Sequence, residues 1–217
     1  MKPIIKKEHL QTMLDAKFIR VFDLQYAPDK HYFDATRRTI DDLVAIKTED
    51  EFKAMLPDAV TCIVILKIKD TEPKLLLTNE YRYPTGQFLL SPPAGLLDAK
   101  DISTNNPLIS TAIREIKEET GLDVKETDSV FVINPLLFSS PGMTDESNAL
   151  VGAIIHLEDT SSLNQDGAEG SEVFDGFQLL SMEEATTILK RGTDDNGIFY
   201  SVYAWAAMMY FVSNMWR

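Results

Sequence analysis

The sequence predicts an α/β protein, with a mixed β-sheet packed between helices and a small antiparallel strand region ahead of it. Three observations predict this. Short β-rich runs recur between residues 59 and 180. One amphipathic helix interrupts them at 107–120, and two more helical segments close the chain. Strands mixed around a central helix, with a helix pair at the end, are the pattern of a layered α/β domain. A length of 217 residues suits one such domain plus an extension. The boundary is placed between residues 57 and 58.

The elements follow in order. Residues 17–26 and 31–40 read as strands flanking a turn at Ala27-Pro28-Asp29-Lys30. Residues 48–55 form a short helix. The run 59–69 is rich in Val, Ile and Leu and reads as a strand, and 74–83 is the next, after a turn at 70–73. Residues 87–90 lead into a Pro92-Pro93-Ala94-Gly95 loop. The helix over 107–120 has Asn105 or Asn106 to cap it, Pro107 in its first turn and Gly121 just past its end. Ile109, Ala112, Ile113 and Ile116 give it a buried stripe. Strands are expected at 130–138, 149–157 and 174–180. Ser181-Met182-Glu183-Glu184 is a capping box for a helix to about residue 191. An aromatic-rich helix over 197–214 ends the chain and reads as buried.

Composition narrows the function. A formal charge of −13 excludes a nonspecific nucleic-acid surface. The single cysteine, Cys62, lies in an apolar run and forms no disulfide within the chain, which fits a cytosolic setting. Residues 198–212 are apolar but shorter than the ~20 residues of a membrane span. The first seven residues lack the apolar core of a secretory signal. No nucleic-acid or membrane partner is expected.

The most informative stretch is Arg114-Glu115-Ile116-Lys117-Glu118-Glu119-Thr120-Gly121-Leu122. On a helix, Glu115, Glu118 and Glu119 stand at i, i+3 and i+4 and share one face. Like charges so placed repel. They make sense around a divalent cation, and Mg2+ takes oxygen ligands and usually brings a phosphate substrate. Arg114, four residues before Glu118, can orient that carboxylate.

With the preceding Gly95 loop, this stretch resembles the Nudix box, G-x5-E-x7-R-E-U-x-E-E-x-G-U. Residues 114–122 match its second half at every defined position. The first half departs. Eighteen residues separate Gly95 from Arg114 where the family has thirteen, so the segment 100–106 reads as carrying a five-residue loop insertion. Counted from Gly95 the family's first Glu falls on Asp101; counted back from Arg114 it falls on Asn106. Three further features resemble the ADP-ribose pyrophosphatase branch. They are Glu80-Tyr81-Arg82, where the branch commonly has Gln-[Tyr/Phe]-Arg, the Ser140-Pro141-Gly142-Met143-Thr144-Asp145-Glu146 loop, and the N-terminal strand pair.

The resemblance implies a Nudix α/β/α sandwich over 58–217 that hydrolyses a nucleoside diphosphate sugar, ADP-ribose first, with Mg2+ or Mn2+. Alternatives are another sugar nucleotide or dinucleotide, or a non-catalytic sensor of such a ligand. It implies metal ligation by Glu115, Glu118, Glu119 and the Ala94 carbonyl, and catalysis by these carboxylates with Arg114. A general base is implied on the acidic loop 158–172, Glu169 or Glu172, with Glu146 in reserve. Substrate contacts are implied at Arg82, Gly142, Glu146 and Arg37 or Arg38, and a homodimer through residues 1–57.

Overall fold

The computed structural model describes residues 3–168 and 170–217, so Glu169 lies outside the described residues. Two compact units form. One comprises Met1–Asp58 with Leu136–Asn148; the other comprises Ala59–Pro135 with Ala149–Arg217.

The first unit is built on an antiparallel sheet of β1 (Leu10–Asp15), β2 (Arg20–Ala27) and β3 (Lys30–Thr36), in that order. The β2–β3 hairpin turns through Pro28-Asp29, with Asp29 at φ 56°, the left-handed geometry of the second central residue of a type II turn that Pro at the first favours. Strand β2 starts later than the pattern suggests because the Ala16 N–H donates to the Ile19 carbonyl, making residues 16–19 a turn. Strand β1 is not anticipated. Its residues beyond Leu10 are exposed, so no burial pattern marks it, and pairing Leu10 with Leu24 and Thr12 with Phe22 creates it. Phe22, Leu24 and Leu43 form this unit's core. Helix α1 (Glu49–Ala54) is capped by Thr48, with Glu51 closing the box.

The second unit carries strands β4 (Ala59–Ile68), β5 (Lys74–Arg82), β6 (Gln87–Ser91), β7 (Ala94–Leu96), β8 (Ser129–Phe138), β9 (Ser147–Leu157) and β10 (Phe174–Leu180). The ends of β8 and β9 around the 139–146 loop belong to the first unit. Strand order is β10-β5-β4-β9-β8, with β6 added to β5 and β7 to β4. Helices α2 (Ala99–Ile102) and α3 (Pro107–Thr120) precede β8, and α4 (Met182–Arg191) and α5 (Val202–Val212) end the chain.

Alternation along β4 makes this unit three-layered. Ile63 and Ile65 point into a core shared with α4 and α5. Val60, Cys62, Val64 and Leu66 point the other way, against Ala112 and Ile116 of α3. The unit is thus a mixed sheet between helices, as the sequence predicts.

Three local expectations need correction. Ile113 is exposed, because the buried face of α3 runs through Ala112, Ile116 and Thr120 and leaves it on the flank. Residues 99–102 form a helical turn rather than open loop, since the Asp98 carboxylate accepts the N–H groups of Lys100 and Asp101. Helix α5 is buried on one side only. Ala204, Ala207, Met208 and Phe211 face the core while Val202, Trp205 and Met209 are exposed.

Candidate functional site

The site is assembled around the C-terminal half of α3. Strand β4 fixes the approach of the Pro-Pro-Ala-Gly segment: the Cys62 N–H donates to the Pro93 carbonyl at 2.7 Å, and Thr61 pairs with Ala94. The Ala94 N–H then donates to Oε1 of Glu119 at 3.1 Å. Gly95 follows, and a side chain there would displace the Glu115 carboxylate. A Cβ at that position would lie 1.8 Å from Oε1 of Glu115.

Arg114 is the hub. Its Nη1 donates to Glu115 at 2.6 Å and to Glu118 at 2.9 Å. Its Nη2 donates to the Leu96 carbonyl at 2.9 Å and to Asp101 at 2.8 Å, and its Nε reaches the same Asp101 oxygen at 3.2 Å. This resolves the register of the departing motif half. Asp101 is buried and serves as Arg114's acidic partner, whereas Asn106 sits at the α3 N-cap without a side-chain bond. The inserted residues therefore fall after Asp101.

The three α3 carboxylates are not equivalent. Glu118 is partly exposed, while Glu115 and Glu119 are buried. Burial pushes the Glu115 carboxyl up to about 7, against the lowering effect of Arg114. Burial also holds Glu119 well above the usual carboxylate range. The Ala94 N–H opposes this, and the charges of Glu80, Glu115 and Glu172 add to it. Oε2 of Glu119 is buried with no hydrogen-bond partner.

Among the described residues, no three acidic, His or Cys side chains converge as a ready-made ligand cage, because Arg114 engages Glu115 and Glu118. The donor set nonetheless fits a divalent cation. Two buried carboxylates that resist ionisation, one with an orphaned oxygen, are what a cation would satisfy.

The acidic loop after β9 is strapped along the end of α3. Leu163 joins the α3-side core, and the Asn164 N–H donates to the Thr120 carbonyl at 3.1 Å. Gly167 lies so close to Glu118 that a Cβ would be 2.4 Å from its carbonyl oxygen. At the far end the Tyr81 N–H donates to the Val173 carbonyl at 2.8 Å. Glu172 ends up close enough for its charge to raise Glu80, Glu115 and Glu119.

Arg82 pairs with Glu80 at 2.5 Å. Glu80, whose charge helps raise Glu119, is a neighbour of the α3 carboxylates that the sequence reading did not single out. The available signal was its i, i+2 spacing to Arg82, which places both on one strand face.

Arg38, Gly142 and Glu146 belong to the first unit. Arg38 is nearly buried, with Nη2 2.8 Å from Asp58, Nη1 3.2 Å from Asp42 and Nε 3.6 Å from Asp145. It is committed to internal acids. Arg37 is the exposed arginine, and its Nε donates to Glu146 at 3.2 Å. The Gly142 carbonyl accepts the Tyr32 hydroxyl at 2.7 Å. Beside this loop lies a cavity of about 260 Å3 lined by Leu24, Tyr32, Asp34, Phe138 and Met143 among others.

A layered α/β unit whose helix presents buried carboxylates behind a glycine loop is the arrangement around which the site is built. The NUDIX domain model matches residues 55–202, and the chain belongs to that family. It is 32% identical over 111 residues to nudix hydrolase 2 of Caenorhabditis elegans, covering 51% of this chain and 45% of that protein. It is 38% identical over 96 residues to the ADP-ribose pyrophosphatase of Saccharomyces cerevisiae, covering 43% of this chain and 37% of that one. The chain thus spans less than half the length of either relative. The crystal structure of an ADP compounds hydrolase superposes with a TM-score of 0.60 at 18% identity, covering 100% of this chain and 94% of the other, a likeness of fold. Among the described residues no helix is long and apolar enough to cross a membrane.

Proposed function

We propose that the chain hydrolyses the pyrophosphate bond of a nucleoside diphosphate sugar, ADP-ribose foremost, giving AMP and ribose 5-phosphate. The observation that carries this reading is the pair of buried carboxylates, Glu115 and Glu119, held against the Ala94-Gly95 backbone with one oxygen unpartnered. Glu115, Glu118, Glu119 and the Ala94 carbonyl would hold Mg2+ or Mn2+. The bound cation supplies charge neutralisation at the phosphate oxygens, the largest part of such a barrier.

The chain's own residues do the rest. Arg114 fixes Glu115 and Glu118, and Asp101 fixes Arg114. Arg82 offers a guanidinium to the diphosphate. Glu172 accepts the proton of the attacking water, whose oxygen bonds to one phosphorus as the bridging P–O bond breaks. Glu169 is the other loop candidate for this role, and Glu146 stays in reserve. Arg38's internal pairs make it a support for the 141–146 loop, and leave Arg37 the freer of the two for substrate. We also assign a homodimer through residues 1–57 and a cytosolic setting, consistent with a lone buried thiol. The sensor reading rests on the inserted loop and the missing Glu of the motif; the Asp101 carboxylate at Arg114 supports hydrolysis over it.

The test is incubation with ADP-ribose and Mg2+ or Mn2+, with AMP as the product measured, beside a panel of sugar nucleotides and dinucleotides compared by kcat/KM. Turnover of none of them would refute the reading. Glu119→Gln should lower the rate by at least about a hundredfold with the fold intact.

A further inference from the structure

We propose that Glu80 is a positioning residue for this reaction, holding the Arg82 guanidinium where the diphosphate arrives. This rests on the hydrolase reading above and assigns a role to a side chain outside the Nudix box.

The geometry is built into the sheet. Alternation along β5 puts Glu80 and Arg82 on one face. Glu80 is anchored on both sides, paired with Leu89 of β6 and with Phe174 of β10. Its side chain is 12% exposed, whereas that of Arg82 is 45% exposed, and Nη2 of Arg82 lies 2.5 Å from Oε2 of Glu80. The acid is therefore the fixed member and the arginine the mobile one. An arginine on a strand end samples many rotamers, and immobilising it is a cost of binding that a preformed pair removes beforehand. The bond from Tyr81 N–H to the Val173 carbonyl brings the end of the acidic strap beside this pair. Glu80, which holds Arg82, is in turn close enough to Glu119 and Glu172 to feel their charges.

Keeping a carboxylate here is costly. Burial raises Glu80 above its ordinary range, and Arg82 only partly offsets this while the Glu172 charge adds to it. The resembling branch commonly has Gln at this position, which bonds an arginine without adding charge. A charged residue is tolerable because the charge-assisted bond to Arg82 is the stronger one.

The test uses the full chain with ADP-ribose and Mg2+, in Glu80→Ala, Glu80→Gln, Arg82→Ala and the Glu80→Ala/Arg82→Ala double variant. Glu80→Ala should raise KM about three- to tenfold at nearly unchanged kcat and Tm, the signature of lost uniform binding. Glu80→Gln should restore most of the loss. In the Arg82→Ala background Glu80→Ala should add nothing. A wild-type KM in Glu80→Ala, effects that multiply in the double variant, or a fall in kcat alone would overturn the proposal. Calorimetric binding of ADP to the same variants requires no turnover. Weakening in Glu80→Ala by the same factor supports the role and unchanged affinity overturns it, whatever the fate of the hydrolase reading.

Discussion

Gly95→Ala is the sharpest perturbation this site allows. The glycine is not at positive φ, so alanine fits its backbone, and the methyl group is the whole perturbation. That methyl would stand 1.8 Å from Oε1, 2.0 Å from Cδ and 2.4 Å from Oε2 of Glu115. Ordinary contact begins at 3.4 Å, so the carboxylate must retreat by about 1.6 Å. Moving away also strains the 2.6 Å bond to Arg114, and through Arg114 the placement of Glu118. A displacement of about 1 Å in a reacting constellation costs on the order of a hundredfold. The expected kcat/KM on ADP-ribose is therefore down by at least about a hundredfold, with a Tm within a few degrees of wild type. Steady-state release of AMP with saturating Mg2+, beside thermal unfolding, measures both. A Gly95→Ala enzyme within threefold of wild type would refute the placement of Glu115 at the reaction centre.

The remaining predictions concern ionisation and support. Glu115 has a folded-state pKa of about 7 against an ordinary 4.5, so the metal-free protein favours its neutral form. The stability it confers is complete below pH 4.5 and is lost as pH rises through 7, by about 3 kcal/mol. Mg2+ or Mn2+ should accordingly raise Tm more at pH 8 than at pH 5, and chelation should abolish the difference; a pH-independent gain would contradict the site. Asp34 is raised to about 6 by burial and then by the Asp145 charge. Asp34→Asn keeps an acceptor for the Asp145 N–H, so it should stabilise the protein at pH 8 by up to about 3 kcal/mol and by nothing near pH 4; parallel melting curves at both pH values would speak against this. Arg114→Lys loses the fork that joins Asp101, Glu115, Glu118 and Leu96, and should cut kcat by more than tenfold; retention of full activity would show that one charge suffices.

Features that repeat at short range are legible from residue order alone. Strand alternation in β4 sorts Ile63 and Ile65 from Cys62 and Val64. Helical spacing puts Glu115, Glu118 and Glu119 together, and Gly121 ends α3 in the left-handed conformation at φ 73°. Each of these depends only on neighbours a few residues away, and periodicity records them. Features that depend on distant chain segments meeting come from the fold. It chose Asp101 over Asn106 as Arg114's partner and buried Arg38 among Asp42, Asp58 and Asp145. It laid the acidic strap on α3 through Gly167 and made a strand of the exposed residues 10–15 by pairing them with β2. It also drew Glu80 in beside Glu119 and Glu172. Carboxylates more than thirty positions apart leave no periodic trace in a sequence. Only the sheet register and the burial it imposes bring their charges together.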